Sequence, residues 1–582
     1  MRIVSWGAAV LAAALASAPL AAQELDGELA ALTNQWYAYQ LAQYHQVEQA
    51  DGTTEAGDSF PLVTPAANRA RADHAKVTLA KLDAIDLKRL SPAARTDAEV
   101  FRTLLNEQIG DAQFREWEMP FDSDSDFWSY LAARRPLDDA EDYRRYIARI
   151  RDLPRYFDEQ IANARTGLKR GFSVPAVTLT GRDASIAAHV VEDAEKSPFW
   201  KSFEQMPARI PTNEAAALRA DAKRAIATSA IPAFRKLLTF YRDEYVPGAR
   251  RTLGAEAMPD GKAYYAQQIR QYTTLDLTAE QIHQIGLSEV ARITREMEQV
   301  KREAGFQGTL AEFITFLRTD PQFVAKTPEE LMGVSSYVAK RTDDVIEKYF
   351  GLLPRKRFGI RPVDPAIAPF YTAGRGGLDA CQMNTYDLPS RPLYNIPALT
   401  LHECEPGHSF QAALALEREA APKFRRETYF SGFGEGWGLY AEYLGNEMGI
   451  YRTPYEKFGQ LSYEMWRAAR LVIDTGIHHK GWSREQAIDY LASHTALSNR
   501  EVGTEVDRYI SWPGQALAYK LGAMTILKVR AKAEKTLGAK FDIRKFHDVV
   551  LALGSVPLPV LEERIDSFIA DGGQGLPGVT YN

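Results

Sequence analysis

The chain has 582 residues, 45% of them hydrophobic and 25% charged, a composition that calls for a large buried core and excludes a disordered or fibrous chain. Its 70 basic and 76 acidic residues leave a net charge of -6, and neither sign gathers into a long run, so nucleic acid is not an expected partner. Cys381 and Cys404 are the two cysteines, too few for a disulfide scaffold, and their sequence positions do not decide whether they pair.

In chain order, Arg2 precedes a nearly unbroken apolar stretch from Ile3 to Ala22, with small residues at its end and polar Gln23-Glu24-Leu25-Asp26 after it. This is the pattern of a secretory signal peptide, with the cut expected after Ala22. The run is barely long enough to span a bilayer, and no other segment matches it without charges, so no stable membrane insertion is expected after cleavage. It holds no cysteine for lipid attachment, which leaves a periplasmic or secreted protein as the expectation.

Most of the chain beyond Asp26 reads as helix, with apolar residues three and four apart and breaks at Pro or Gly. Clear spans are Glu28 to Tyr44, Asp139 to Lys169, Asn213 to Tyr245, Thr278 to Ala304 and Thr327 to Tyr349. The aromatic cluster from Phe114 to Tyr130 reads as ordinary core. Between Gly351 and Pro397 the pattern changes: Phe358 to Pro362, Ala368 to Thr372 and Cys381 to Tyr386 are short, proline-bounded and partly alternating, as strands of a small sheet would be. Helix returns after Pro397 and continues to Ile569. The expected fold is mainly α: a signal peptide at 1–22, an N-terminal helical lobe at 23–350, and a C-terminal chemical lobe at 351–582. That second lobe begins with the small sheet, at 350–397.

The chemistry concentrates in His402-Glu403-Cys404-Glu405-Pro406-Gly407-His408. Zinc favours imidazole and carboxylate ligands, and a catalytic site uses three protein ligands plus a position for water. Two histidines four apart on a helix lie about 40° from one face, whereas six apart they diverge by roughly 120°. Both reach one ion only if the helix is irregular, and Pro406, which lacks an N–H, with Gly407, which tolerates unusual dihedrals, predicts a bulge there. Glu403 is the expected general base and Glu405 a weaker rival. Cys404 reads as a buried small side chain rather than a ligand, because a thiolate would close the open position.

A second segment, Gly432-Phe433-Gly434-Glu435-Gly436-Trp437-Gly438-Leu439-Tyr440-Ala441-Glu442, supplies carboxylates in a glycine-rich and aromatic setting that disfavours plain solvation. Glu435 is the expected third ligand. Glu442, seven residues on and about 20° away on the same face, is the alternative, either as ligand or as the group that holds a ligand histidine.

These two segments, with Arg508-Tyr509-Ile510-Ser511-Trp512-Pro513-Gly514-Gln515-Ala516-Leu517-Ala518-Tyr519-Lys520, resemble a bacterial family catalogued as a domain of unknown function, DUF885. The likeness runs over nearly the whole chain past the signal peptide. The family is similar in plan to the helical zinc peptidases of the thimet oligopeptidase, angiotensin-converting and Taq carboxypeptidase groups, in which two lobes flank a deep cleft. That implies one zinc ion per chain and oligopeptides as substrate, although those groups keep the four-residue histidine spacing.

Within this frame Tyr519 and Tyr509 are candidate oxyanion donors, and His478 a candidate for stabilising the transition state or shuttling a proton. Arg508 and Lys520 are candidates for fixing a peptide carboxylate, with Gln515 sharing a helix face with Tyr519. An edge strand within Phe358 to Tyr386 is expected to pair with an extended substrate. The rival expectations are a zinc amidase or esterase acting on a cell-wall or other small substrate, and a binding protein that keeps the fold without catalysis. Oligomeric state is not legible.

Overall fold

A computed structural model describes residues 20–49, 54–121, 126–129, 131–133, 137–365, 368–417, 421–426 and 428–581. The segment read as a signal peptide lies outside these except for residues 20–22, which open the first helix. No helix among the described residues is long and apolar enough to cross a membrane.

The described chain is mainly α-helical. Its early helices are Leu20–Gln43 (α1), Pro65–Asp83 (α2), Pro92–Phe114 (α3), Ala140–Arg170 (α4) and Ala279–Glu303 (α5). The expected starts at Asp139, Thr278 and Thr327 prove to be N-caps, each accepting backbone N–H groups that the first turn leaves without partners. The span expected from Asn213 to Tyr245 is helical throughout, with wider π turns at Ile226–Ala230 and Tyr241–Tyr245. Phe121 and Trp128, from the aromatic cluster, are buried core.

After the sheet come Ile396–Glu403 (α6), His408–Leu416 (α7), Ser431–Glu447 (α8), Pro454–His478 (α9), Asn499–Ser511 (α10), Ala518–Leu537 (α11), Ile543–Ala552 (α12) and Leu558–Ala570 (α13). Helices α8 and α9 are buried on nearly every side, and such helices must be apolar or internally paired all round. The crossing of α8 and α11 is close enough to demand glycine: a Cβ on Gly436 would lie 2.6 Å from the Gly522 Cα.

Among the described residues there are five short strands: Gln46–Glu48 (β1), Thr54–Ala56 (β2), Gly359–Pro362 (β3), Gly374–Arg375 (β4) and Ala380–Met383 (β5). The β1–β2 pair was not legible in the sequence. In the larger sheet the order is β3-β5-β4, with β3 parallel and β4 antiparallel to the central β5. Ala368 to Thr372, expected as a strand, instead holds the helical turn Ala368–Phe370. Pro369 cannot donate to a ladder, and the Asn384 amide donates to the carbonyls of Ala368, Tyr371 and Thr372 at 2.9, 3.0 and 3.1 Å.

The division at residue 350 is not a division of the core. Leu29 and Trp36 of α1 and Phe101 of α3 share one apolar cluster with Phe433, Trp437, Ile526, Phe546 and Leu561 from the far end of the chain, while α5 packs along α9. The sequence break at Gly351 marks a change of secondary structure, and the apolar faces on both sides of it are buried against each other.

The two cysteines are joined. Cys381 on the central strand and Cys404, just past α6, form a disulfide with both residues fully buried. The bridge fastens the sheet to the end of the helix that carries His402 and Glu403. It closes a loop whose ends are 23 residues apart, for which loop-closure entropy predicts about 3 kcal/mol of stabilisation. The double variant Cys381→Ala/Cys404→Ala is expected to unfold at a lower denaturant midpoint than the oxidised wild type. An unchanged midpoint would contradict the role given to the bridge.

Candidate metal centre

The histidine segment does not bulge within one helix, as its sequence suggested; it is two helices. Helix α6 ends at Glu403, residues 404–407 turn, and α7 begins at His408. The bond from Glu405 to Pro406 is cis. Gly407 passes so near the preceding helix that a Cβ there would fall 1.8 Å from the His402 carbonyl oxygen, so no larger residue fits. The turn is tied from both sides, since the Trp437 indole donates to the Pro406 carbonyl at 2.7 Å and the Phe410 N–H donates to the Cys404 carbonyl at 3.1 Å. The break thus re-aims His408 toward the side that His402 already faces.

The imidazoles of His402 and His408 stand with ring centroids 4.8 Å apart and planes nearly perpendicular. Glu435, from the first turns of α8, places Oε2 3.6 Å from His402 Nε2 and 3.3 Å from His408 Nε2. One donor atom from each of the three residues lies within 4.8 Å of the others. His402 is buried, whereas the His408 and Glu435 side chains keep 18% and 16% of their surface, so the cluster opens to solvent on one side. Two imidazole nitrogens and one carboxylate with an open approach form the donor set of a catalytic zinc site, and the residues fit that ion.

Glu442 stands apart from the three clustered donors, behind His402. It is fully buried, and its Oε1 lies 2.7 Å from His402 Nδ1, which leaves Nε2 to face the cluster. Gly438 makes room for this ring: a Cβ there would sit 2.7 Å from His402 Cε1. Burial by itself would lower the His402 pKa, but the hydrogen bonds that the ring donates to the Glu435 and Glu442 carboxylates outweigh it and hold the pKa at about 9. Glu435, against the cost of its own burial, is held well below the usual carboxylate range by His408 and His402.

Glu403 stands beside the cluster with Oε2 accepting the Gly376 N–H at 2.7 Å. That amide comes directly after β4, so the sheet edge lies against the candidate base. Glu405 points elsewhere, into an ion pair with Arg357 at 3.2 Å; burial lifts its carboxyl while Arg357 pulls the other way, and its rival claim to act as base lapses.

Tyr519 is where the sequence placed it, its ring stacked 6.5 Å from that of His402. Arg508 Nη2 lies 3.4 Å from the Tyr519 hydroxyl and 3.1 Å from Gln515 Oε1, so these three candidates share one wall. Three others are spent on structure. The Tyr509 hydroxyl accepts from Trp466 at 2.8 Å and from Arg470 at 3.0 Å inside the core. His478 accepts from the Ala255 N–H through Nδ1 and donates through Nε2 to the Tyr509 carbonyl, and burial pushes its pKa down to about 3. Lys520 is buried between Glu464, at 2.7 Å, and Glu289, at 2.8 Å, and cannot also hold a substrate carboxylate.

One residue escaped the sequence reading. The Tyr429 hydroxyl donates to Glu435 Oε1 at 3.1 Å, and the charges of Tyr519 and Glu403 are close enough to act on it. Gly434 lets the Tyr429 ring approach, since a Cβ there would be 2.3 Å away. Tyr429 lies just before α8, in no spacing that points to the metal, so its only signal was being aromatic beside the glycine-rich run.

Residues 48–565 match the family described as a bacterial protein of unknown function, DUF885. The fold is that of a crystal structure described as the "putative lipoprotein" from Colwellia psychrerythraea, with a TM-score of 0.84 and 26% identity over 94% of this chain and 99% of that one. A second solved structure, a "putative lipoprotein of unknown function" from Shewanella oneidensis, aligns with a TM-score of 0.64 and 18% identity over 93% of this chain and 98% of that one. No curated protein matches the sequence.

Two variants separate the orienting role of Glu442 from the structural role of Lys520. Glu442→Gln is expected to weaken zinc binding about 10- to 100-fold, measured by chelator competition, while the fold persists. Lys520→Met leaves Glu464 and Glu289 buried without their cation and is expected to cost about 3–5 kcal/mol of stability. A Lys520→Met protein as stable as wild type would show that the lysine is not structural.

Proposed function

The chain belongs to the DUF885 family of bacterial proteins, and from that premise we propose that it is an exported zinc-dependent hydrolase that cleaves oligopeptides with an activated water. The observation that carries the reading is the convergence of His402, His408 and Glu435 on one space, with Glu403 beside it on the same turn as His402. Zinc, when bound there, supplies a Lewis acid that acidifies water and polarises a carbonyl.

The protein's own groups do the rest. Glu403 is aimed by the hydrogen bond from Gly376 to Oε2, which leaves Oε1 to take the proton from water and deliver it to the departing amine. Glu442 fixes the orientation of His402. The Tyr519 hydroxyl is the donor we assign to the negative charge that develops on the substrate carbonyl, while the Tyr429 hydroxyl holds Glu435. Water is the nucleophile, so no acyl-enzyme forms.

Peptides are favoured over other amides by the sheet. Strand β4 is at an edge, hydrogen-bonded to β5 on one side, and its neighbour Gly376 touches the base. An extended peptide added along that edge would run past Glu403, with backbone pairing that tolerates varied side chains. Export is supported by the N-terminal apolar stretch and by the buried disulfide between the only two cysteines, since such bridges persist outside the reducing cytoplasm.

Glu403→Gln is expected to bind zinc as the wild type does and to lose peptidase activity by roughly 10²–10⁴-fold, as removal of a general base does. Full activity in this variant would exclude the mechanism.

A further inference from the structure

We infer that the exposed ring of Tyr429 sets specificity, as the floor of a subsite that takes a large apolar or aromatic side chain next to the scissile bond; this rests on the proposed peptidase activity. Single exposed aromatic side chains are common on protein surfaces and need no account. Tyr429 differs in where it ends. The residue is 53% exposed, yet its hydroxyl is bonded to Glu435 Oε1 at 3.1 Å, so one ring runs from solvent to a group of the metal cluster.

Two contacts fix the ring in place. Its hydroxyl reaches Glu435, whose other oxygen, Oε2, faces His402 Nε2 at 3.6 Å and His408 Nε2 at 3.3 Å. The hydroxyl end of the ring also lies against Gly434, where a Cβ would fall 2.3 Å from a ring carbon. A ring pinned at its tip has little rotamer freedom left to lose when a ligand covers the rest of it. Its direction is set too, since the charges of Glu435, Tyr519 and Glu403 all act on the hydroxyl. The tip therefore points into the space shared by the candidate base and the oxyanion donor, on the side where the His408 and Glu435 side chains keep part of their surface.

A substrate whose carbonyl approaches the cluster from the open side passes this ring. In extended chain, successive side chains alternate between opposite faces at about 3.3 Å per residue, so one residue flanking the cut directs its side chain toward Tyr429 and the other directs its own away. Glycine at that position leaves the ring wet, whereas leucine or phenylalanine covers apolar surface otherwise in water. Phenylalanine also gains ring–ring contact. An acidic side chain would be carried toward Glu435 and Glu403, which repel it. Backbone pairing along β4 accepts any residue, and the ring adds selection at one position.

The test compares the tetrapeptides Ala-Ala-Phe-Ala, Ala-Ala-Leu-Ala and Ala-Ala-Gly-Ala, and the same three with the variable residue second. Wild type is expected to cut beside Phe and Leu with a KM roughly 3- to 10-fold lower than beside Gly, and with a smaller effect on kcat. Calorimetry on zinc-loaded Glu403→Gln protein is expected to give the same order of binding. Adding Tyr429→Ala should level the three peptides. Tyr429→Phe, which keeps the ring, should retain the order while weakening zinc binding about 10-fold in chelator competition, because Glu435 loses its hydroxyl partner. Equal binding of the Phe, Leu and Gly peptides with Tyr429 intact, or a preference that survives Tyr429→Ala, overturns the inference. Cleavage by wild type that ignores the variable residue overturns it while leaving the peptidase reading intact. Cleavage of none of the peptides counts against the peptidase reading, and the calorimetric order then still decides whether Tyr429 takes an apolar side chain.

Discussion

Two side chains six residues apart on a regular helix point in directions roughly 120° apart, and the whole centre depends on how that divergence is removed. The chain removes it by ending α6 at Glu403 and starting α7 at His408. A turn so short and so buried has little freedom: Gly407 must be glycine because the His402 carbonyl occupies the space of a side chain, and Trp437 must reach Pro406 to satisfy a carbonyl that the turn exposes. The disulfide adds a third constraint by fixing Cys404 to the central strand. The glycine-rich run of α8 serves the same end, since Gly438 admits the His402 ring and Gly434 admits Tyr429. What looks like a cluster of motifs is one packing problem with several contributors.

The second organising element is α9, a long helix buried on almost every side and yet rich in charge. Its Glu464 answers Lys520 and Arg292, its Arg467 lies against Glu442, and its Arg470 holds Glu505 and the Tyr509 hydroxyl. Its Asp474 accepts from Tyr265 and from the Gly514 N–H, and its His478 ties down the Tyr509 carbonyl. Buried charges such as these add little to stability when paired but cost much when one partner is lost. Their effect is positional: α9 grips the segment from Tyr509 to Lys520, and so sets where Tyr519 and Arg508 stand relative to the histidines.

Much of this was legible from residues alone, and for identifiable reasons. Helix boundaries at Asp139 and Thr278 were readable because capping is local chemistry. That His402, His408 and Glu435 come together was an expectation of the sequence, because ligand types are few and their spacing is restrictive, and the three side chains do meet. What could not be read depends on contacts between distant parts of the chain. Tyr429 beside Glu435 and the cysteine bridge arise from how α6, α8 and the sheet meet, and the same packing selects, between the two roles open to Glu442, the one that holds His402. His478, Tyr509 and Lys520 were candidates because they sit in sequence beside other candidates; the structure engages them in buried hydrogen bonds and ion pairs. An apolar cluster crosses the expected lobe boundary, since a change in local pattern at Gly351 carries no information about which helices pack together.

The central claim is that the three side chains form one metal site. Anomalous diffraction at the zinc edge, from crystals of the protein grown with one equivalent of zinc, tests it most directly. The account predicts a single strong peak within coordination distance, about 2.0–2.2 Å, of His402 Nε2, His408 Nε2 and a Glu435 carboxylate oxygen. No peak at that position with zinc in excess, or a peak that engages Glu442 in place of Glu435, would contradict it.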